Sequence, residues 1–429
     1  MHSQQNPTFI TSEKDHFTRL FPELDPLDVK DNRLWLLSQK MMDRGDCLPD
    51  GDSTTISNGL AIFSQFLAHD ITFDSTSQFS GIQFVDRFQN DRTINFDLDC
   101  LYGQKEQTFY YDAKDKDKLL LGKRFTAEDE EWYDLQRNAQ CKAIIPDARN
   151  DENIIVSRMQ VLFIRFHNRM VDWLRRNNCP ANVFKEARKL VIWHYHWVII
   201  YDYLKKMMDP TVFEDLMANG SRYYTSPSTM PLEFSGAVFR VGHSQTRSRN
   251  RINANLEKRL FELGFFSEME QFVDWRYIFD FGDGRVQFAR KIDTKLAREF
   301  HNIPFINTDN RKHKSLAFRN LMRGEVYGLP SGEDLARRLG VEPIAVEETR
   351  QFDFPGTPLW FYVLREAEVC NNGEFLGPVG SRILGECFMT IMQHDDWSYL
   401  KLHPRWTPTL GREVGKFDFV DLICFALED

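Results

Sequence analysis

The side chains best suited to acid–base chemistry are Gln65, His69 and Asp70, which lie close together in the chain. Apolar residues around them recur at helical spacing, so we predict a mostly buried helix that runs to about His69. Gln65 and His69 are four residues apart and share one face of this helix. A buried imidazole beside a carboxylate must find hydrogen-bond partners. The pattern is typical of a hydrogen-bonded core helix, and the alternative is an acid–base His69 whose neighbour Asp70 binds a cation.

A second polar pattern alternates with apolar residues, and its oxygen-bearing members are Thr93, Asn95, Asp97 and Asp99. In an extended or curled loop, a period of two sends these oxygens to one side. Converging carboxylates repel one another unless a hard cation neutralises them. An EF-hand is excluded because the sixth position from Thr93 is Leu98 rather than glycine. A calcium loop and a solvent-exposed edge strand both remain open.

Arg149 lies just before a long amphipathic helix that we predict over residues 154–176. The helix dipole disfavours a cation at this end, whereas it favours Glu152 in the first turn. We therefore expect Arg149 to have a function or a buried partner.

His243 and the segment around Asn320 supply the remaining candidate groups. Gly242 leaves space for a bulky group to approach the His243 imidazole, although a packed core histidine gives the same pattern. Asn320 and Arg323 are three residues apart and share one face of a predicted helix.

Three other histidines are expected to be structural. His194 and His196 lie in a second long helix, predicted over residues 181–206. Two residues apart on a helix they point in different directions, so a shared metal is not expected. His167 lies in the preceding helix and shows no feature of a site.

The composition indicates a folded, acidic protein with a large core. The 429 residues are 42% hydrophobic and 14% aromatic, and the net charge of −9 argues against nucleic acid as a partner. No apolar run reaches the ~18–20 residues needed to span a bilayer. Seven scattered cysteines include no Cys-x-x-Cys pair, so no disulfide framework or zinc site is indicated. No signal-peptide pattern follows Met1, so we expect a cytoplasmic location if Met1 is the natural start.

Helical patterns dominate the chain and strand patterns are sparse. We predict a mainly α fold with a loop-rich N-terminal arm over residues 1–60 and one large helical domain over residues 61–429. The groups named above are those that a haem peroxidase needs. They are an imidazole to ligate iron, a base to move a proton across peroxide, and a cation to polarise the O–O bond.

The chain also resembles the animal-type haem peroxidase (peroxidase–cyclooxygenase) superfamily over roughly residues 60–425, within a non-mammalian branch that includes bacterial members. The motifs that carry the resemblance are Gln65-x-x-x-His69-Asp70, Thr93-x-Asn95-x-Asp97-x-Asp99-x-x-Tyr102-Gly103, Asp147-x-Arg149-x-x-Glu152, Arg165-x-His167-Asn168-Arg169, Arg240-x-Gly242-His243 and Asn320-x-x-Arg323. The six motifs occur in the family's order and at compatible spacing.

The resemblance implies that His69 is the distal acid–base catalyst and that Gln65 hydrogen-bonds water or a bound anion beside it. Arg149 would be the distal cation. The implied reaction reduces hydrogen peroxide and oxidises an organic or small-anion donor through a ferryl intermediate. A biosynthetic oxidation or a response to oxidative stress is a role that the resemblance permits.

The resemblance further implies that His243 is the proximal ligand of haem b and that Asn320 accepts its other ring N–H. Arg323 and Arg240 would each neutralise a haem propionate or a neighbouring carboxylate. The implied calcium ligands are Asp70, Thr93, Asn95 (through its backbone carbonyl), Asp97 and Asp99.

Three differences from particular relatives in the superfamily bear on the chemistry. Mammalian members form two haem esters, and here Glu152 occupies one position whereas Ala68 occupies the other, so we expect one ester at most. The methionine of a halide-oxidising relative is replaced by Asn153, so we expect little chloride oxidation. The cyclooxygenase and fatty-acid dioxygenase branch has a radical-forming tyrosine where this chain has Arg240.

Because this tyrosine is absent, a haem fatty-acid dioxygenase is the second choice among enzymes. A non-catalytic haem- or calcium-binding protein is the alternative from another class.

Overall fold

The structure, a computed structural model, describes residues 17–43, 51–73, 90, 92–103, 110–127, 130–177, 180–264 and 272–428. Helices account for most of the regular structure in these ranges, which confirms the mainly α fold. The α-helices are α1 Asp31–Lys40, α2 Asn58–Ile71, α3 Asp99–Tyr102, α4 Ile154–Asn177, α5 Val183–Val198, α6 Lys205–Met207, α7 Pro210–Asn219, α8 Leu232–Gly236, α9 Gly242–Gln245, α10 Leu316–Val326, α11 Gly332–Arg338, α12 Glu347–Gln351, α13 Leu359–Asn371, α14 Pro378–His394, α15 Tyr399–Leu402 and α16 Phe419–Leu427.

Among the described residues, strands occur only as short pairs. The strands are β1 Phe17–Thr18, β2 Asp52–Ser57, β3 Arg124–Ala127, β4 Glu130–Tyr133, β5 Met230–Pro231, β6 Arg249–Asn253, β7 Leu256–Arg259 and β8 Phe288–Arg290. β1 pairs with β5 in parallel, while β2 with β8, β3 with β4 and β6 with β7 are antiparallel. β1 and β2 therefore connect the N-terminal region to the body of the molecule. The domain division at residue 60 stays a prediction.

α2 lies in the aromatic core. The Ser57 hydroxyl caps its first turn by accepting from the N–H of Leu60, and the helix runs two residues beyond the predicted end. Phe66 of α2 stacks on Phe163 of α4 with ring centroids 4.8 Å apart. Phe63 meets Phe419 of α16 at 4.8 Å. Such pairs contribute about 0.5–1.5 kcal/mol beyond the burial of apolar area, so they hold α2 firmly between α4 and α16.

The helix predicted over residues 181–206 contains a π-helical segment. α5 ends at Val198, a π segment covers Ile199–Leu204, and α6 follows directly. Tyr203 in this segment is buried, with its ring 5.9 Å from that of Phe388. Apolar periodicity predicted the length of this helix but not the wider turn.

The three histidines expected to be structural are buried and have different partners. His167 Nδ1 lies 3.0 Å from the Tyr102 hydroxyl, His196 Nε2 donates to the carbonyl of Phe96, and His194 Nδ1 donates to the carbonyl of Leu190. His194 Nε2 is buried and has no hydrogen-bond partner within the described ranges. His194 and His196 have no common partner in the described part of the chain, as expected.

His194→Phe is expected to reduce the loss of stability in acid. Burial lowers the pKa of His194 from 6.5 to about 4. Between these values the unfolded chain binds more protons than the folded one, so folding stability falls as the pH drops from 6.5 toward 4. The contribution of one such group is about 2 kcal/mol at pH 5.

Urea unfolding at pH 7 and pH 5 measures the effect, with the exposed His403→Phe as control. The His194→Phe protein should lose less free energy of unfolding over this interval than the other two proteins. An equal loss in all three would contradict the assignment of His194 as a buried neutral group.

Candidate active site

α2 has one face that the rest of the described protein does not fully cover. The part-exposed residues of this face are Ile62, Ser64, Gln65 and Ala68. A Cβ placed on Gly242 would lie 3.0 Å from the Ser64 hydroxyl oxygen, so α2 and α9 are in close contact. The structure thus brings the helix of Gln65 next to the helix that begins at Gly242.

His69 is buried near the end of α2, and one of its ring nitrogens has a partner. Nδ1 lies 2.7 Å from Oδ1 of Asn150, a fully buried residue in the 3-10 helix Ala148–Asp151. Nε2 has no hydrogen-bond partner among the described residues. Burial, and then the charge of Arg149, lower the pKa of His69 to about 4. His69 is therefore a neutral imidazole at pH 7, with Nε2 available for a reactant.

Arg149 has the buried partner that its position before a helix suggested. Its Nη2 donates to Asp147 Oδ2 at 2.6 Å, and its guanidinium also donates to the carbonyls of His69 at 2.9 Å and Thr72 at 2.8 Å. The guanidinium lies 4.4 Å from the centre of the Phe73 ring. A cation at the carboxyl end of a helix is favourable, so Arg149 stabilises the end of α2 on which His69 lies.

Arg92 links Arg149, through Asp147, to the loop that carries Thr93, Asn95, Asp97 and Asp99, which we call the polar loop. Its guanidinium lies 2.6 Å from Asp147 and 3.4 Å from Asp99, and the side chain is 8% exposed. Burial raises the pKa of Asp147, but the hydrogen bond from Arg149 and the charges of Arg149 and Arg92 together lower it to about 2. Asp147 is part of one of the sequence motifs, but the sequence did not indicate its link to Arg92.

Four of the five predicted calcium ligands lie close together. Carboxylate oxygens of Asp70, Asp97 and Asp99 lie within 4.8 Å of one another, and the Thr93 hydroxyl lies 3.2 Å from Asp97. Asn95 follows the same alternation, since it is part-exposed between buried neighbours. The loop forms bends rather than a strand, so an edge strand is wrong.

The cluster has the electrostatics of a cation site. Asp70 Oδ2 accepts from the Tyr195 hydroxyl at 3.0 Å, whereas Oδ1 is buried and has no hydrogen-bond partner among the described residues. Burial and then the charges of Asp99 and Asp97 raise the pKa of Asp70 well above its usual value. A hard cation would relieve this repulsion, and a set of carboxylate and hydroxyl oxygens suits calcium.

His243 lies at the start of α9 with its Nδ1 2.8 Å from the Asn320 amide. Burial, and then the charges of Arg240 and Arg323, lower the pKa of His243 to about 3. The imidazole is therefore neutral, which is the form that binds a metal. Nε2 has no hydrogen-bond partner among the described residues.

The predicted role of Asn320 as acceptor of the His243 N–H stays a prediction, because this conformation has the amide turned the other way. The amide nitrogen of Asn320 faces His243 Nδ1, because Arg323 donates to the amide oxygen at 3.1 Å. Arg240 lies on the same side and donates to the carbonyl of Ser235. The sequence predicted which residues meet here but not which end of the amide each one binds.

The sequence model described as Animal haem peroxidase matches residues 82–351, more than half of the chain. The chain belongs to the animal haem peroxidase family. It is 24% identical to chorion peroxidase of Drosophila melanogaster over 313 residues, which cover 65% of this chain and 38% of that protein. The chain thus spans well under half the length of this curated relative.

Two solved structures have the same fold. Peroxidase A of Dictyostelium discoideum matches with a TM-score of 0.66 at 15% identity, covering 96% of this chain and 93% of that one. A fatty acid alpha-dioxygenase of Oryza sativa matches with a TM-score of 0.62 at 15% identity, covering 87% and 74%. No helix of the described residues is long and apolar enough to cross a membrane.

The residues present fit a haem. Two neutral imidazoles, His69 and His243, each have Nδ1 hydrogen-bonded and Nε2 without a partner in the part of the chain that the structure describes. They lie on helices that touch each other, and α2 has an incompletely covered face next to α9. Glu152 is exposed and lies just before α4 rather than in its first turn.

Arg149→Lys is expected to loosen the end of α2. A lysine ammonium cannot reproduce the planar set of bonds to Asp147 and to the carbonyls of His69 and Thr72. Hydrogen–deuterium exchange of the amides at residues 69–73 should become at least about tenfold faster, which corresponds to the loss of roughly 1.4 kcal/mol.

The control is Arg285→Lys, which alters an exposed ion pair with Asp283. This variant should leave exchange at residues 69–73 unchanged. Protection that stays the same in the Arg149→Lys protein would show that Arg149 does not hold the helix end.

Proposed function

We propose that the protein is a haem peroxidase that reduces hydrogen peroxide and oxidises an organic or small-anion donor. The observation that carries the proposal is His69, a buried neutral imidazole whose Nδ1 is held by Asn150 while Nε2 has no partner among the described residues. When bound, haem supplies the redox centre at which the peroxide O–O bond is cleaved.

His69 supplies the proton transfer. Its Nε2 accepts a proton from one oxygen of peroxide and returns that proton to the other oxygen, which leaves as water. The charge of Arg149 favours the negative charge that develops on the departing oxygen. Gln65 lies one helical turn before His69 on the part-exposed face, where its amide is available to hold water or peroxide.

His243 would hold the haem iron through Nε2. For a strong ligand the proton must be on Nδ1, and the Asn320 amide must then turn its oxygen toward this N–H. The turn requires Arg323 to release that oxygen, and a haem carboxylate is a suitable new partner for its guanidinium. Arg240 would bind a second carboxylate, and Glu152 would form at most one ester to the haem.

Calcium would be held by Asp70, Thr93, Asn95, Asp97 and Asp99. Asp70 follows His69 directly in the chain, so a cation at this site would restrain the position of the catalytic imidazole. A biosynthetic oxidation in the cytoplasm is a role compatible with this proposal.

The alternative of a fatty-acid dioxygenase has weaker support. The likeness to the rice dioxygenase is one of fold. The family resemblance also associates dioxygenase activity with a tyrosine at the position that Arg240 occupies here. Formation of a hydroperoxide from a fatty acid and oxygen would favour the dioxygenase, whereas turnover of peroxide with a phenol would favour the peroxidase.

His69→Ala is expected to retain haem and to lose most of its reaction with peroxide. Removal of a general acid–base catalyst lowers the rate by about 10²–10⁴-fold. Stopped-flow absorption of the haem-loaded protein after one equivalent of hydrogen peroxide measures this rate. His243→Ala should instead lose the Soret band of bound haem, because it removes the iron ligand.

An unchanged peroxide rate in the His69→Ala protein would favour a non-catalytic haem-binding protein. Normal haem retention by the His243→Ala protein would refute the assignment of the iron ligand. Loss of haem from the denatured protein without proteolysis would refute the Glu152 ester.

Calcium is expected to raise the melting temperature, and Asp97→Asn should remove most of this increase. At 100-fold excess over its dissociation constant, a ligand of the folded state adds about 2.7 kcal/mol. Calorimetry with calcium and with a chelator measures the shift, and Asp283→Asn, which alters an exposed carboxylate, is the control. Equal melting temperatures with and without calcium would contradict the site.

A further inference from the structure

A chain of buried side-chain amides connects His69 to the backbone carbonyl of Cys100, which directly follows the polar loop. Asn150 Oδ1 lies 2.7 Å from His69 Nδ1, and Asn150 Nδ2 donates to Gln160 Oε1 at 2.9 Å. Gln160 Nε2 then donates to the carbonyl of Cys100 at 3.1 Å. Asn150, Gln160 and Cys100 are fully buried, and His69 is 7% exposed. Because water is excluded, each polar atom depends on the next one along the chain.

The hydrogen bonds of this chain can run in one direction only. The Cys100 carbonyl can only accept, so the NH₂ end of Gln160 must face it. The oxygen end of Gln160 then faces Asn150 and requires the NH₂ end of that amide. The Asn150 oxygen is left to face His69, so Nδ1 must be the protonated nitrogen. Reversal of the two amides would place the Gln160 oxygen against the Cys100 oxygen.

We propose that Gln160 is a positioning residue that, through Asn150, fixes His69 as the tautomer with its lone pair on Nε2. The inference rests on the proposed function of His69 as the base that takes a proton from peroxide. With the proton on Nε2 instead, His69 could not accept a proton at the atom that faces the reactant. The correct tautomer is thus set by the carbonyl oxygen of Cys100, which acts on His69 through the side-chain amides of Gln160 and Asn150.

Cys100, at the end of this chain of amides, gives the polar loop a second connection to His69. Cys100 is the second residue of α3 and follows Asp99 directly. Asp70 is adjacent to His69 in sequence, whereas Cys100 reaches it through Gln160 and Asn150. The polar loop therefore influences the position of His69 through Asp70. Through Cys100 it influences which ring nitrogen of His69 carries the proton.

The test compares Gln160→Met with Gln160→Glu in the haem-loaded protein. Methionine matches the length of glutamine but makes neither bond. Burial favours the protonated form of an introduced glutamic acid, whose O–H would donate to Cys100 and whose carbonyl would accept from Asn150. Gln287→Met is the matched control, because Gln287 also bridges two backbone groups, those of Arg251 and Arg249, away from His69.

The expected kinetic result is specific to the peroxide step. Gln160→Met should lower the second-order rate with peroxide by roughly 10-fold or more, within the 10²–10⁴-fold contribution of the base. The subsequent rate of oxidation of a phenol should stay within about twofold of the wild type. Gln160→Glu and Gln287→Met should keep the wild-type rate of both steps.

A spectroscopic measurement reports the tautomer directly. In protein labelled with ¹⁵N-histidine and loaded with diamagnetic zinc protoporphyrin, ring ¹H–¹⁵N correlations show which nitrogen carries the proton. His69 should show protonated Nδ1 in the wild type and in Gln160→Glu, and a mixture of tautomers in Gln160→Met. Asn150→Leu, which has no polar atom to accept from Nδ1, should also give a mixture of tautomers and serves if Gln160→Met fails to fold.

An unchanged ring pattern in Gln160→Met, or in Asn150→Leu where that variant is used, would overturn the proposal. Equal losses in the peroxide and phenol steps would also overturn it, because they would indicate a packing role alone. Failure of the proposed function is a separate result, since it would be seen as an undiminished peroxide rate in His69→Ala.

Discussion

The last turn of α2 buries the imidazole of His69 and the carboxylate of the next residue, Asp70. The surrounding structure depends on giving these two groups hydrogen-bond partners. An isolated buried charge or an unpaired buried polar group is costly. His69 obtains Asn150 from the 3-10 helix, and Asp70 obtains the Tyr195 hydroxyl of α5 and the N–H of Leu98. Three separate segments are thereby held against one helical turn.

Charges alternate in a buried series that runs from the loop to the end of α2. Asp99, Arg92, Asp147 and Arg149 occur in this order, so each inner member contacts an opposite charge on both sides. Removal of one member would leave an uncompensated charge away from water, which is far more costly than loss of an exposed pair. The loop, the 3-10 helix and the end of α2 are therefore expected to move as one unit.

The sequence predicted the helices around the site and the residues that meet there, because helical and alternating patterns are local. It also predicted that Arg149 needed a partner, since a helix dipole acts within a single turn. Gln160 and Arg92 gave no comparable signal. Their roles depend on contacts with residues 60 and 55 positions away, which no local period reveals. The π turn in the second long helix escaped detection for the related reason that its apolar spacing still fits a helix.

The sequence also did not predict the orientation of the Asn320 amide. This orientation makes the two sides of the candidate haem site differ. On the side of His69, the amide chain already gives the imidazole the tautomer that acid–base chemistry needs. On the side of His243, the amide that should accept the ring N–H is held the other way by Arg323. The His69 side is thus organised by the protein alone. The His243 side reaches its working arrangement only when Arg323 gains another partner, so binding of the haem carboxylates and strengthening of the iron ligand are coupled in one hydrogen-bond exchange.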